Sequence, residues 1–418
     1  MGYLVAILFA MLPLYLVRFT VFGIPTTAFE AALYGVFVCA LAGSLRRKDA
    51  RSLFSLPQEK LFRAGFSLLL IGAALSVAFN PTLRALGILK GWFFDPVLFF
   101  LLVRHARAST NSAVLLYSAS AFAVAIVALG YWTRGIVTYD GRLASFFASP
   151  NHLAMFLAPA LLLVAVVCMK KVSCMRGNQT FQASSTRSQF PKFQAAGFGH
   201  WDLHIGNCLE FGIWLLVCAV LLTVLLLTTS HGAWFGVAGA LFASFVFSKI
   251  SEKLRIIFLT AGIVLGMTAP IFAVRFWPRL QNAFGISERS SIASRIQIWR
   301  SAFAIGRENP VFGIGSGAFQ EEYLVYQKNY PPYLEWAVPQ PHNIYLAFWL
   351  QTGFLGLAGF LLLLVWFFRK SLNDRMLDVG FWIFLVMLYT LLHGSVDTLY
   401  WKNDLSVIFW ALLALTGR

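Results

Sequence analysis

Apolar runs of about twenty residues recur along this chain, and each is long enough to cross a bilayer as a helix. The candidates lie near 1–21, 28–45, 64–79, 83–103, 112–130, 149–169, 210–228, 232–248, 255–274, 343–367, 378–394 and 404–417. A backbone in hydrocarbon must satisfy its own hydrogen bonds, so runs of this length are read as helices. The chain is 59% hydrophobic and 12% charged, with a mean hydropathy of +0.73, whereas an average soluble domain is roughly 25% charged. The expectation is an all-α polytopic membrane protein of about twelve spans, forming one membrane domain over 1–418. The first run lacks a basic stretch before it, and Arg18 follows it. We therefore expect a retained helix there and not a cleaved signal peptide.

The formal net charge of +16 raises the question of nucleic acid, but its distribution argues for topology. Lys and Arg gather at 46–63, 104–107, 170–192, 249–255 and 369–375, in alternate connections. The other connections hold few, such as Arg84, Arg134, Arg142 and Lys402. That asymmetry is the positive-inside pattern. It predicts both termini on the cytoplasmic side and the long polar segment 276–341 outside, with membrane lipids and no nucleic acid as partners. Residues 170–207 are rich in Ser, Gln, Lys and Arg without period, and read as a poorly ordered cytoplasmic linker. Cys39, Cys168, Cys174, Cys208 and Cys218 show no metal or redox spacing and read as packing residues. No metal site and no cofactor are expected.

The 276–341 segment carries Arg279, Arg289, Arg295, Arg300 and Arg307, and ends where His342 meets the next span. Ile292, Ile296, Trp299 and Phe303 recur at helical spacing, with Ser290 or Ser291 placed to cap the start. This predicts an amphipathic helix with Arg295 and Arg300 on the two edges of its apolar stripe. Glu308-Asn309-Pro310 should end it, and Gly313, Gly315 and Gly317 should permit a tight reversal; no strand precedes them, so they are no nucleotide site. The acids Glu308, Glu321, Glu322 and Glu335 lack metal-ligand spacing.

His342 follows Pro341, which limits the local backbone. An imidazole can take up a proton near neutral pH. It is a candidate base, and the plainer alternative is an interfacial histidine satisfied by water or a carbonyl. Arg142, with Asn151 one step inside the next span, joins Arg295 and Arg300 as a candidate clamp for a diphosphate, whose geometry suits forked donors. Snorkelling to lipid headgroups is the alternative for each. Lys90 could face the same cavity. Asp95, five residues on, should not share its helix face and reads as a structural contact. His231, in Thr228-Thr229-Ser230-His231-Gly232, is a second titratable group on the outer side, or a plain interfacial turn. A transporter would place charges along a path through the bilayer, whereas here they gather at one face.

Several of these residues, taken in order, resemble the O-antigen ligase and polymerase superfamily. They are Arg142-Leu-Ala-Ser-Phe-Phe-Ala-Ser-Pro150-Asn151, Arg295-Ile-Gln-Ile-Trp299, Pro310-Val-Phe-Gly313-Ile-Gly315, His342-Asn343-Ile-Tyr345-Leu and Gly353-Phe-Leu-Gly356. The resemblance implies a GT-C-like glycosyltransferase of the bacterial inner membrane, working on the periplasmic face without nucleotide sugar, metal or cofactor. Its donor would be an undecaprenyl-diphosphate-linked glycan and its acceptor lipid A-core. His342 would be the general base and Arg295 would hold the diphosphate, with Arg142 and Arg300 assisting. Related enzymes of this kind polymerise O-antigen or glycosylate proteins instead. One position departs: Ser230-His231 stands where the superfamily commonly shows Ser-Arg.

Overall fold

A computed structural model describes residues 1–21, 23–185, 199–247, 251–284, 290–332, 338–371 and 379–416. For 170–171, 173–185, 199–209, 252, 280, 283–284 and 379 it describes the backbone alone. Arg289, Glu335 and the middle of the 170–207 segment lie outside the described residues, as do the side chains of Cys174 and Cys208.

The chain is a multi-pass membrane protein built almost wholly of helices. Among the described residues, eight helices are long and apolar enough to span: Ala28–Arg46, Lys60–Phe79, Leu83–His105, Thr110–Thr133, Pro150–Met169, Glu210–Leu227, Lys253–Arg279 and Ile344–Ser371. The shorter apolar helices His231–Phe247, Gly380–Gly394 and Asn403–Leu415 complete the bundle.

Three expectations need correction. The first apolar run is not one spanning helix. Helix Gly2–Ala10 gives way to a 3-10 turn over Leu12–Leu16, where Pro13 sits, and Arg18–Val21 then pairs antiparallel with Ile24–Thr27. Composition marks this run as apolar but carries no sign of a hairpin. Nor is 170–207 aperiodic throughout, because helical backbone continues to Ser185 and resumes at Gly199. Lastly, Lys90 and Asp95 do touch. Residues Lys90–Phe94 form a π turn, whose i→i+5 winding brings residues five apart onto one face. The Lys90 ammonium lies 3.3 Å from Asp95 and 2.6 Å from Glu30.

The most intimate contact joins Lys60–Phe79 to Ile344–Ser371. It rests on small residues from both sides, Gly65 and Gly72 against Gly356 and Gly359. A Cβ added at Gly72 would lie 2.7 Å from the Gly356 Cα, and one at Gly65 2.9 Å from the Leu363 nitrogen. Removing side chains lets membrane helices approach backbone to backbone. The Ser76 hydroxyl then donates to the Gln351 carbonyl at 2.8 Å.

Ile344–Ser371 is broken at Gly353, which has φ +67° and ψ −174°. The break frees the Leu350 carbonyl to accept from Ile314 N at 2.7 Å, and Phe354 N to donate to Val311 at 2.9 Å. The glycine-rich reversal after the amphipathic helix is thereby pinned to the middle of a span. Gly313, Gly315 and Gly317 all have positive φ, the reversal expected of them.

Candidate active site at the start of the Ile344–Ser371 helix

The predicted amphipathic helix forms over Ser291–Glu308, with the Ser290 hydroxyl accepting from Ala293 N at 3.2 Å. Ile296 and Trp299 are buried as the spacing requires, but Ile292 is 53% exposed. The buried face is set by Ala293, Ile298, Ala302 and Ile305 as well. The Trp299 indole donates to the Pro341 carbonyl at 3.0 Å, fixing the chain just before His342.

Asn343 fixes it just after. Its side-chain oxygen accepts from Tyr345 N and Leu346 N, both at 3.0 Å, capping the new helix, while its amide donates to the Ser395 carbonyl at 2.9 Å. Held at both sides, His342 adopts φ +47°. A histidine in the left-handed region is strained, and strain of this kind persists where the surroundings over-determine it and often marks function.

That conformation sets the imidazole against Asp397, in the connection between the last two helices. His342 Nδ1 and Asp397 Oδ1 are 3.0 Å apart, with the imidazole part exposed and the carboxylate buried. Facing a carboxylate, Nδ1 carries the proton and Nε2 is left as the acceptor. Asp397 Oδ1 also accepts from Thr398 N at 2.9 Å, and Oδ2 from Asn151 Nδ2 at 3.2 Å. Burial alone would push the Asp397 carboxyl up. The charge and hydrogen bond of His342, with contributions from His393 and Arg295, outweigh it and hold the group well below the usual carboxylate range.

Two arginines border this pair. Arg142 Nη2 donates to Asn151 Oδ1 at 2.7 Å, and its Nε to the Thr228 carbonyl at 2.9 Å. Arg295 Nε donates to the Val396 carbonyl at 2.7 Å, next to Asp397, and its Nη1 to the Ser291 carbonyl and hydroxyl. Both guanidinium groups are oriented by neutral oxygens and retain further N–H groups. Asp140 stands 3.8 Å from Arg142, beyond hydrogen-bonding distance.

The structure thus brings His342, Arg295, Arg142 and Asn151 together around Asp397, and leaves three predicted partners elsewhere. Lys90 is in a separate network with Glu30, Asp95 and, through Glu30, Asn403. Such pairing is what makes charges tolerable inside a bundle. Arg300 turns to the other side of its helix, where it donates to Gln297 at 3.2 Å. His231 is exposed at the head of its helix, edge-on to Trp234 at 5.1 Å between ring centroids. Sequence reasoning missed Asp397. The signal available was the polar run His393-Gly394-Ser395-Val396-Asp397-Thr398 between two apolar helices. Among the described residues no three His, Cys, Asp or Glu side chains converge in a metal-binding group.

A family model described as O-antigen ligase matches residues 216–361, which include Arg295 and His342. That match supports membership of the O-antigen ligase/polymerase superfamily. Members of that superfamily are glycosyltransferase-like enzymes of O-antigen processing. An uncharacterized protein of Haemophilus influenzae is 25% identical over 185 residues, or 40% of this chain and 45% of that relative. The chain therefore spans less than half the length of the curated relative it matches.

Proposed function

We propose that this protein is an O-antigen ligase of the bacterial inner membrane. It would move a polysaccharide from undecaprenyl diphosphate to a sugar hydroxyl of lipid A-core, on the periplasmic face. The observation that carries the reading is the His342–Asp397 pair between two oriented arginines. An imidazole backed by a buried carboxylate is a competent general base, and forked cations suit a diphosphate leaving group.

In this mechanism Nε2 of His342 takes the proton of the acceptor hydroxyl as its oxygen attacks the anomeric carbon. The bond from that carbon to the diphosphate oxygen breaks, and undecaprenyl diphosphate leaves with the electron pair. Arg295 and Arg142 meet the charge that develops, and Asp397 stabilises the imidazolium until it returns its proton to solvent. A single displacement inverts the anomeric centre. Lys90 and Arg300 have no assigned step, because their contacts lead away from His342, and His231, whose ring packs on Trp234, is given none.

The test is reconstitution with a glycan on undecaprenyl diphosphate and three separate acceptors: lipid A-core, a second lipid-linked glycan and a pilin-like protein. Product on lipid A-core supports the ligase. Product only on the glycan or only on the protein replaces it with a polymerase or a protein O-oligosaccharyltransferase. Arg295→Ala should lower use of the donor, and Arg295→Lys should restore it only in part, since a point charge cannot replace the fork. If EDTA abolishes transfer and a divalent ion restores it, charge neutralisation does not belong to the arginines alone.

A further inference from the structure

Arg300 lines a cavity of about 560 Å³ between helix Ser291–Glu308, the end of span Lys253–Arg279 and Trp349. Arg275 and Arg307 line it too. Among the described residues none of the three is paired with a carboxylate. Arg300 is held by the neutral Gln297 amide, whose own nitrogen donates to the carbonyls of Tyr330 and Pro332 at 3.3 and 3.2 Å. On a helix of 100° per residue, Arg295 and Arg300 diverge by about 140°. The cavity therefore opens on a different side of the helix from the His342 centre.

The remaining walls are apolar: Ile271 and Val274 below, Phe303 and Trp349 to the sides. Arg275 sits about one turn inside the end of a spanning helix. Trp349 and Tyr330 also line the cavity, and Trp and Tyr are the residues enriched where membrane proteins meet lipid headgroups. Ile271 and Phe272 are exposed on the helix flank beneath the arginines. Three guanidinium groups over an apolar flank match one ligand chemistry, an anionic phosphate head carrying hydrocarbon tails.

We propose that this cavity is a binding site for the phosphate head of a bilayer lipid, separate from the reaction centre and independent of what that centre transfers. Two or three forked donors converging on one phosphate supply charge-assisted bonds that a single snorkelling arginine does not. The tails would lie along Ile271 and Phe272.

The full chain in phosphatidylcholine nanodiscs, titrated with phosphatidic acid and read by native mass spectrometry, tests this. The wild type should retain phosphatidic acid in preference to phosphatidylcholine. Arg300→Gln/Arg307→Gln should weaken retention about tenfold or more, and Arg300→Lys/Arg307→Lys should recover part of it. Arg84→Gln, remote from the cavity, should leave it unchanged. The proposal is overturned if the wild type shows no preference, a result that needs no variant to fold. It also fails if the Gln pair binds as the wild type does, or if millimolar inorganic phosphate displaces the lipid, which would mark a small-anion site.

Discussion

At the residue scale, the decisive contact is the one between His342 and Asp397. The sequence announces the histidine, because it follows a proline at the threshold of a span. It does not announce its partner, because 55 positions separate them and a lone aspartate between two apolar helices has many uses. Arg142, Asn151 and Arg295 are legible as polar residues at one face; Arg300 looks the same and turns to another side of its helix. Only the direction of each side chain separates the two groups, and one sequence does not encode it openly. Asp397 orients the imidazole through the 3.0 Å contact with Nδ1. Asp397→Asn should therefore lower the transfer rate, while His342→Ala should abolish transfer. An Asp397→Asn variant as fast as the wild type would remove Asp397 from the base's support. Stability carries its own signature. A depressed carboxyl stabilises the fold above its unfolded pKa of about 3.9 and loses that contribution as pH falls toward the folded value. Melting of the wild type should thus fall in acid below about pH 4, and that of Asp397→Asn should fall less.

At the element scale, periodicity found the amphipathic helix and its cap at Ser290. It overstated Ile292, because 3.6-residue spacing gives a stripe without saying where the neighbouring helices stop covering it. The glycines after that helix were read as a turn, and they are. What remained hidden is that Gly353, just after Gln351-Thr352 in an otherwise apolar run, breaks the span so that the turn can dock on it. An alanine there would adopt a backbone conformation open almost solely to glycine, at a cost of about 1–3 kcal/mol. Its Cβ would also press on the Phe312 Cα at 2.8 Å. Gly353→Ala should lower the unfolding temperature and loosen the segment leading to His342, seen as faster backbone hydrogen exchange at Ile314 and Phe354. Wild-type protection at both amides would show that the docking does not need the break.

At the scale of the whole molecule, hydropathy recovered the class and nearly all the spans, because the bilayer imposes a length on each helix. It missed the hairpin at Arg18–Thr27, where a residue count is satisfied but the backbone turns. Hydropathy is silent on which spans are neighbours, since lipid and protein are equally apolar to a leucine. Pairing in a membrane depends instead on shape, and here the shape is written in glycines that composition treats as neutral. Gly72 is sealed against Gly356, whereas a Cβ at Gly35, within span Ala28–Arg46, would meet nothing within 4 Å. The two positions are both glycines in apolar helices, yet they predict opposite outcomes. Gly72→Leu must push Lys60–Phe79 away from Ile344–Ser371, and overpacking of this kind costs about 1–3 kcal/mol or more. The second of those helices begins two residues after His342, so transfer should fall with stability. Gly35→Leu should leave both near wild type. Thermal unfolding of the two variants in the same detergent decides the matter: equal melting temperatures would mean that glycine-mediated approach does not hold this bundle together.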